Sequence, residues 1–159
     1  MSEQDWLESL HAILMAEEYE LATLVTLALS EQEALVLADT PEIARLSSEM
    51  LAITGRMESL ESARQRLLDE VGLAGATLAD VLPIAEAGQV PDISGSRDRL
   101  VALATDLREV QERNARLILG AMRVRERWAN LLANLGSSTY GASGRAFPER
   151  GPAYLSKSA

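Results

Sequence analysis

The sequence has 159 residues, no cysteine and a formal net charge of −9 at pH 7. A chain of this length fits one domain or one long bundle, and the lack of cysteine excludes disulfides and thiolate chemistry, in agreement with a reducing cytoplasm. The charge is uneven: residues 1–92 carry 18 acidic and 4 basic side chains, net −14, whereas residues 93–159 carry 6 acidic and 11 basic, net +5. An acidic first part disfavours nucleic acid as a partner, because phosphates would be repelled.

The first residues of the chain are not expected to form a secretory signal. Met1-Ser2-Glu3-Gln4-Asp5 lacks the basic start and apolar core of a secretory signal. No run of about 18 uninterrupted apolar residues is present, so no membrane insertion is expected. The sequence therefore predicts a soluble cytoplasmic protein.

Three long segments, at about 3–38, 41–71 and 96–135, have apolar residues at alternating spacings of three and four. This is the pattern of helices that pack along their length with left-handed, coiled-coil-like geometry. The all-α fold predicted is a long antiparallel hairpin plus a third long helix. The seam positions are Leu7, Leu10, Leu14, Leu21, Leu24, Ala28, Leu35 and Ala38, then Ile43, Leu46, Met50, Ile53, Met57, Leu60, Arg64, Leu67 and Val71, and finally Leu100, Leu103, Leu107, Val110, Asn114, Leu117, Ala121, Val124, Trp128, Leu131 and Leu135.

A clear start signal separates the first two helices. In Asp39-Thr40-Pro41-Glu42 the hydroxyl of Thr40 is expected to cap the second helix, with proline at the first helical position and an acid near the positive helix end. Only a few residues remain for the connection. The two helices should therefore form an antiparallel hairpin.

Glycine and proline interrupt the helical pattern between residues 72 and 95. A short helix at about 77–86 fits inside this stretch, because Thr77 and Asp80 resemble a capping box. Its apolar side chains are expected to cover one end of the bundle; they are Leu78, Val81, Leu82 and Ile84.

The third long helix is expected to begin near Ser94 or Ser96 and to end at Gly136, where glycine favours a left-handed cap. The bundle would thus occupy residues 1–135. Residues 136–159 have too little apolar surface to offset the entropy of ordering, so they are predicted to form a flexible, mobile C-terminal tail. Three of the six aromatic residues lie there, namely Tyr140, Phe147 and Tyr154.

Catalytic chemistry is poorly supported. Glu8 and His11 have the Glu-x-x-His spacing of di-iron bundles, but such sites need a second motif and His11 is the only histidine. A histidine on a solvated helix face is the simpler interpretation. The acidic run Glu17, Glu18 and Glu20 is typical of a solvated face too. No nucleophile elbow or phosphate-binding glycine loop is present, so no enzyme, metal or cofactor is predicted.

Arginines along the third helix raise the question of a nucleic-acid stripe, but they are spread around the helix with acids between them. They are expected to face the acidic hairpin. Nucleic acid is therefore not predicted as a partner. The arginines concerned are Arg108, Arg113, Arg116, Arg123, Arg125 and Arg127.

The third helix stays strongly apolar to its end. Leu117, Ile118 and Leu119 point in successive directions, so they cannot all face one hairpin. Two interpretations follow: a core seam with a few exposed leucines, or an additional apolar face for a partner helix.

The order of these features resembles the FlgN family of flagellar chaperones over roughly residues 7–145. Similar elements are Glu31-Gln32-Glu33-Ala34-Leu35 before Asp39, the leucine- and arginine-rich residues 60–68, Asn114 followed by Leu117 and Ile118, and Thr139-Tyr140-Gly141-Ala142-Ser143-Gly144. Glu49, near a position where the family often has lysine, departs from the pattern.

The resemblance implies a chaperone without ATP that binds the C-terminal helices of the hook-filament junction proteins FlgK and FlgL, prevents their premature assembly and delivers them for export. It also implies that Tyr140 helps to dock the chaperone on the export gate protein FlhA. The C-terminal half of the third helix and the tail are expected to bind the client, and the main partner-binding residues predicted are Leu117, Val124, Trp128, Leu131, Leu135 and Tyr140. The alternative is a structural coiled-coil protein that self-assembles and has no export role.

Overall fold

A computed structural model describes residues 2–88 and 92–155, with side chains as far as Leu135 in the last helix. The described residues form helices, turns and short connections, and the helices pack as a bundle, which confirms the all-α prediction. In chain order the helices are α1 (Glu3–Leu37), α2 (Thr40–Glu70), α3 (Leu78–Ala87) and α4 (Ile93–Leu155).

The chain divides into two units, residues 1–117 and residues 118–159. The first contains α1, α2, α3 and the beginning of α4, and the second contains the rest of α4. The predicted mobile tail starts at residue 136, where the description of side chains ends. Its mobility stays a prediction.

The hairpin of α1 and α2 is defined by local capping. At the start of α1, the Ser2 backbone N–H donates to Asp5 Oδ2 at 3.0 Å, and the Asp5 N–H donates to the Ser2 hydroxyl at 3.2 Å. After α1, Ala38 adopts a left-handed φ of 53° and its N–H returns to the last turn of the helix. This reversal needs only two residues, so α1 and α2 lie antiparallel.

The cap of α2 differs in detail from the one predicted. The Asp39 carboxylate accepts the Glu42 backbone N–H at 3.2 Å, and Thr40 is already the first helical residue. The predicted Thr40 cap was therefore wrong by one position. The carboxylate of Asp39 stands three residues before Glu42, the spacing at which an N-cap side chain reaches a free backbone donor.

The core of the first unit is largest at the end where α1 begins. Here α3 closes the bundle: Val81 is fully buried, the Thr77 N–H and hydroxyl both donate to Asp80, and Leu78, Leu82 and Ile84 pack around the cluster. The buried members of this cluster are Trp6, Leu7, Leu10, Leu14, Leu68, Val81, Ala85 and Ile93.

Farther along the hairpin the core is thinner. Leu21, Leu24 and Ile53 are its buried members, and α4 contributes the partly buried Leu103 and Leu107. Polar contacts between helices therefore supply a larger share of the stabilisation in this part of the unit.

The acidic run of α1 is such a contact zone and not the solvated face predicted from the sequence. Glu17 is 4% exposed and accepts from Arg64 Nε of α2 at 3.1 Å. In addition, Glu20 pairs with Arg56 of α2 at 2.7 Å, and Glu18 pairs with Arg99 of α4 at 3.0 Å. Each of the three acids points towards a neighbouring helix because an arginine on that helix forms an ion pair with it.

Candidate partner-binding surface

The apolar seam of α4 changes character near the end of the first unit. Val110 and Asn114 are each 3% exposed, whereas Leu117, the next seam position, is 36% exposed. The seam therefore packs as core up to Asn114 and is open to solvent at Leu117.

Asn114 anchors α4 against α1 at this point. Its Nδ2 donates to the Ala28 carbonyl and to Glu31 Oε2, both at 2.9 Å, and Glu31 also accepts from Ser47 of α2 at 3.4 Å. The amide thus connects α4 with α1, and Glu31 extends the connection to α2. A buried amide in an otherwise apolar seam selects one register, because any shift would leave it without its partners.

The second unit carries a broad apolar face, which we call the α4 face: Ala121, Val124, Trp128, Leu131 and Leu135. These residues repeat at spacings of three and four, so they lie along one side of the helix. All of them are exposed, and Trp128 is 60% exposed. The edges of the face hold further exposed apolar side chains, Ile118 and Leu132.

Positive charge borders this face. Arg125 follows Val124 and Arg127 precedes Trp128, so the two side chains flank opposite edges of the apolar stripe. Exposed arginines in these positions favour a partner helix with acidic residues at its own edges. Both belong to the arginines expected from the sequence to face the acidic hairpin, whereas both are exposed at the edges of the apolar stripe.

The structure exposes all of the sequence-predicted binding residues whose side chains it describes. In the second unit Val124, Trp128, Leu131 and Leu135 share the α4 face, and Leu117 is the last residue of the first unit. Tyr140 lies outside the described side chains, so its role stays a prediction. Exposure of this many large apolar residues is typical of a protein-binding surface.

Two features considered from the sequence, a metal site and a membrane-crossing helix, are absent from the described residues. No group of three or more histidine and acidic side chains is arranged there for a metal ion. His11 is half-buried and not on a solvated face, and its Nδ1 has no hydrogen-bond partner within the described part of the chain. None of the helices, as far as they are described, has both the length and the apolarity needed to cross a membrane.

An exposed apolar helix face on an all-helical bundle is typical of proteins that bind other polypeptides. A family model described as FlgN protein matches residues 1–147. The chain therefore belongs to the FlgN family of flagellar export chaperones, which confirms the resemblance found in the sequence. No curated protein and no solved structure matches the chain.

Proposed function

We propose that this protein is a cytoplasmic export chaperone that binds the C-terminal helices of FlgK- and FlgL-type junction proteins on its α4 face. It keeps them from assembling early and delivers them to the flagellar export gate. The observation that supports the proposal most directly is the exposure of Val124, Trp128 and Leu131 along one side of α4. The mechanism needs no cofactor and no catalytic step.

The physical basis is the pairing of two amphipathic helices. A client helix that normally packs into a filament must keep its apolar side covered until export. The α4 face offers a matching stripe with arginines at both edges, and burial of large apolar side chains supplies about 1.5–3 kcal/mol each. Equilibrium binding of this kind releases the client without ATP, because the contacts are reversible.

Titration calorimetry against a C-terminal fragment of FlgK or FlgL from the same genome tests this function. We expect saturable binding in the micromolar range or tighter, with a negative heat-capacity change from apolar burial. A matched fragment whose helix has glutamate at its apolar positions should give no signal. Absence of heat at several temperatures, together with absence of a co-eluting complex, would contradict the proposal.

The alternative function is structural self-assembly without an export role, and the exposure of the α4 face is compatible with it. Sedimentation in the presence of the client fragment separates the two. A chaperone forms a complex of fixed stoichiometry in which the client covers the face, whereas a scaffold protein continues to grow with concentration and ignores the client.

Docking at the export gate is the step proposed for Tyr140. We expect Tyr140→Ala to weaken binding to the cytoplasmic domain of FlhA at least about tenfold, since an aromatic anchor commonly carries 1.4 kcal/mol or more. Client binding should weaken much less than FlhA binding, because the α4 face is unchanged in this variant. Both affinities can be measured with the same protein preparation, with Phe147→Ala as the matched control. Equal FlhA binding by wild type and Tyr140→Ala would remove the tyrosine from the mechanism.

A further inference from the structure

The second unit of α4 is apolar over more of its surface than the α4 face itself. The residues that directly follow Ala121, Val124, Trp128 and Leu131 lie about 100° farther round the helix. Together with Ile118 they form another row with spacings of four and three, and most of its members are apolar. We call it the second row: Ile118, Met122, Arg125, Ala129 and Leu132.

The second row is as open to solvent as the α4 face. Met122 is 60% exposed and Leu132 is 63% exposed, values close to that of Trp128. With the α4 face, the second row covers about half of the helix circumference. A helix that pairs with one other helix needs only a narrow apolar stripe. The two rows together are therefore wider than one partner helix can cover.

The row on the other flank of the α4 face has a different composition. It consists of the residues that directly precede the members of the face, and it includes the exposed Arg123, Arg127 and Asn130. Apolar surface thus extends from the α4 face in one direction only. The second row is a directed extension of the binding surface, because polar residues are present in the same segment on the opposite flank.

We propose that one client molecule covers this part of α4 with two helices side by side, the first on the α4 face and the second on the second row. The inference rests on the proposed chaperone function and adds the number of client helices to it. Met122 points about 120° away from Trp128, so a single helix centred on the α4 face would leave it in solvent. In helix bundles, by contrast, each helix packs against two neighbours along adjacent rows.

Arg125 defines the chemistry of the second client helix. It is the charged member of the second row and stands between Met122 and Ala129. A guanidinium that becomes covered by apolar side chains is costly unless an acidic group binds it. The second client helix should therefore carry an aspartate or glutamate within its apolar side, level with Arg125.

A second copy of this segment fits the two rows less well than an acidic client does. Residues 118–135 contain three arginines and one glutamate, net +2. Pairing this segment with itself would bring the arginines of both copies together, and like charges across an interface are destabilising. The charge of the segment thus favours a partner with acidic residues.

The first test measures binding of full-length FlgK or FlgL from the same genome by titration calorimetry. We expect one client per chain. The variant Met122→Lys should weaken binding at least about tenfold, because it places a charge under the second client helix. Leu119→Lys is the matched control: Leu119 is also exposed but points away from both rows, so this variant should bind like wild type.

Arg125 is tested in the same titration. Arg125→Glu should weaken binding at least about tenfold, whereas Arg125→Lys, which keeps the charge, should lose much less. Circular dichroism of each variant checks that helicity is unchanged. All of the altered side chains are exposed in the free chain, so their replacement leaves no cavity in a core.

The second test counts the client helices, and the absence of native cysteine allows a photoreactive cross-linker at a single position. A cross-linker on Val124→Cys samples the α4 face, and one on Met122→Cys samples the second row. The two positions point about 160° apart around the helix. After irradiation with the full-length client and digestion, we expect the two positions to capture peptides from two different client segments.

The outcomes separate failure of this proposal from failure of the proposed function. If wild type does not bind the full-length client, the chaperone function is wrong and this proposal with it. If wild type binds but Met122→Lys binds equally well, or if both cross-linkers capture the same client segment, the client uses one helix and only this proposal is wrong. Capture of a second copy of this chain by Met122→Cys would assign the second row to self-association and would also overturn it.

Discussion

Replacing Trp128 by alanine is expected to weaken binding of a FlgK or FlgL C-terminal helix by about 30-fold or more. Trp128 stands at the middle of the α4 face, with Val124 and Leu131 one turn away on either side. A central tryptophan at a helix-binding surface contributes about 2 kcal/mol or more, and each 1.4 kcal/mol is a factor of ten in affinity. The indole is 60% exposed in the free chain, so its removal leaves no cavity in a core.

Calorimetry at fixed temperature and salt measures the change, and urea unfolding of the same variant measures stability. Leu51→Ala is the matched control, because Leu51 is a similarly exposed apolar residue on α2. The control should bind like wild type. If Trp128→Ala binds the client as tightly as wild type, the α4 face is not the client-binding surface. The residues of α4 outside this face, or the tail, would then be the binding surface.

Much of the fold could be predicted because periodicity and capping are local properties of the sequence. The heptads of α1 and α2 indicated a hairpin, and Thr77 with Asp80 indicated the short helix that closes the bundle. The error at Thr40 is also local, because either of two adjacent side chains can cap the same helix. Spacing alone does not decide between them.

The partners of each helix face could not be predicted in the same way. The α4 seam has the same spacing before and after Asn114, yet it is buried on one side and exposed from Leu117 onward. Periodicity reports that a face is apolar and does not report what packs against it. For this reason the sequence left both a core seam and a partner face open as interpretations of residues 117–135.

The polar contacts were misjudged for a related reason. A run such as Glu17, Glu18 and Glu20 is usually solvated, and only the three-dimensional structure shows that Arg64, Arg99 and Arg56 lie opposite.

The ion pair between Glu17 and Arg64 leads to the largest expected effect on stability. Arg64→Ala should lower the free energy of unfolding by about 2–3 kcal/mol at pH 7, because it leaves a buried carboxylate without its cation. The Glu17 carboxyl is nearly inaccessible, and the guanidinium Nε at 3.1 Å is its hydrogen-bond donor. Arg56→Ala is the comparison variant and should cost less, since the Arg56 side chain is 55% exposed even though it binds Glu20 with two nitrogens.

The pH dependence identifies Glu17 as the cause. Burial raises the pKa of Glu17 above its ordinary value of 4.5, and the nearby Glu61 adds to the rise, while Arg64 opposes it. The folded chain therefore binds more protons than the unfolded chain between pH 4.5 and the raised pKa, so this group's contribution to stability falls as pH increases through that interval. Loss of Arg64 should raise the pKa further and extend the interval upward.

The deficit of Arg64→Ala should consequently be greatest at neutral pH and shrink as pH falls towards 4.5. The stability contribution of Glu20 has the opposite pH dependence. The hydrogen bond from Arg56 lowers the pKa of Glu20, so its contribution is lost on acidification. Urea unfolding from pH 8 down to below pH 4.5, compared between variants, separates the two, because the Glu17 effect changes above its ordinary pKa of 4.5 and the Glu20 effect below its own ordinary value of 4.5. Adding Glu17→Gln to Arg64→Ala should recover part of the stability at pH 7, because no buried charge remains. The difference in unfolding free energy from wild type should then vary less with pH. A deficit that stays constant with pH in the single variant would mean that Arg64 acts through the packing of its alkyl chain and not through the carboxylate.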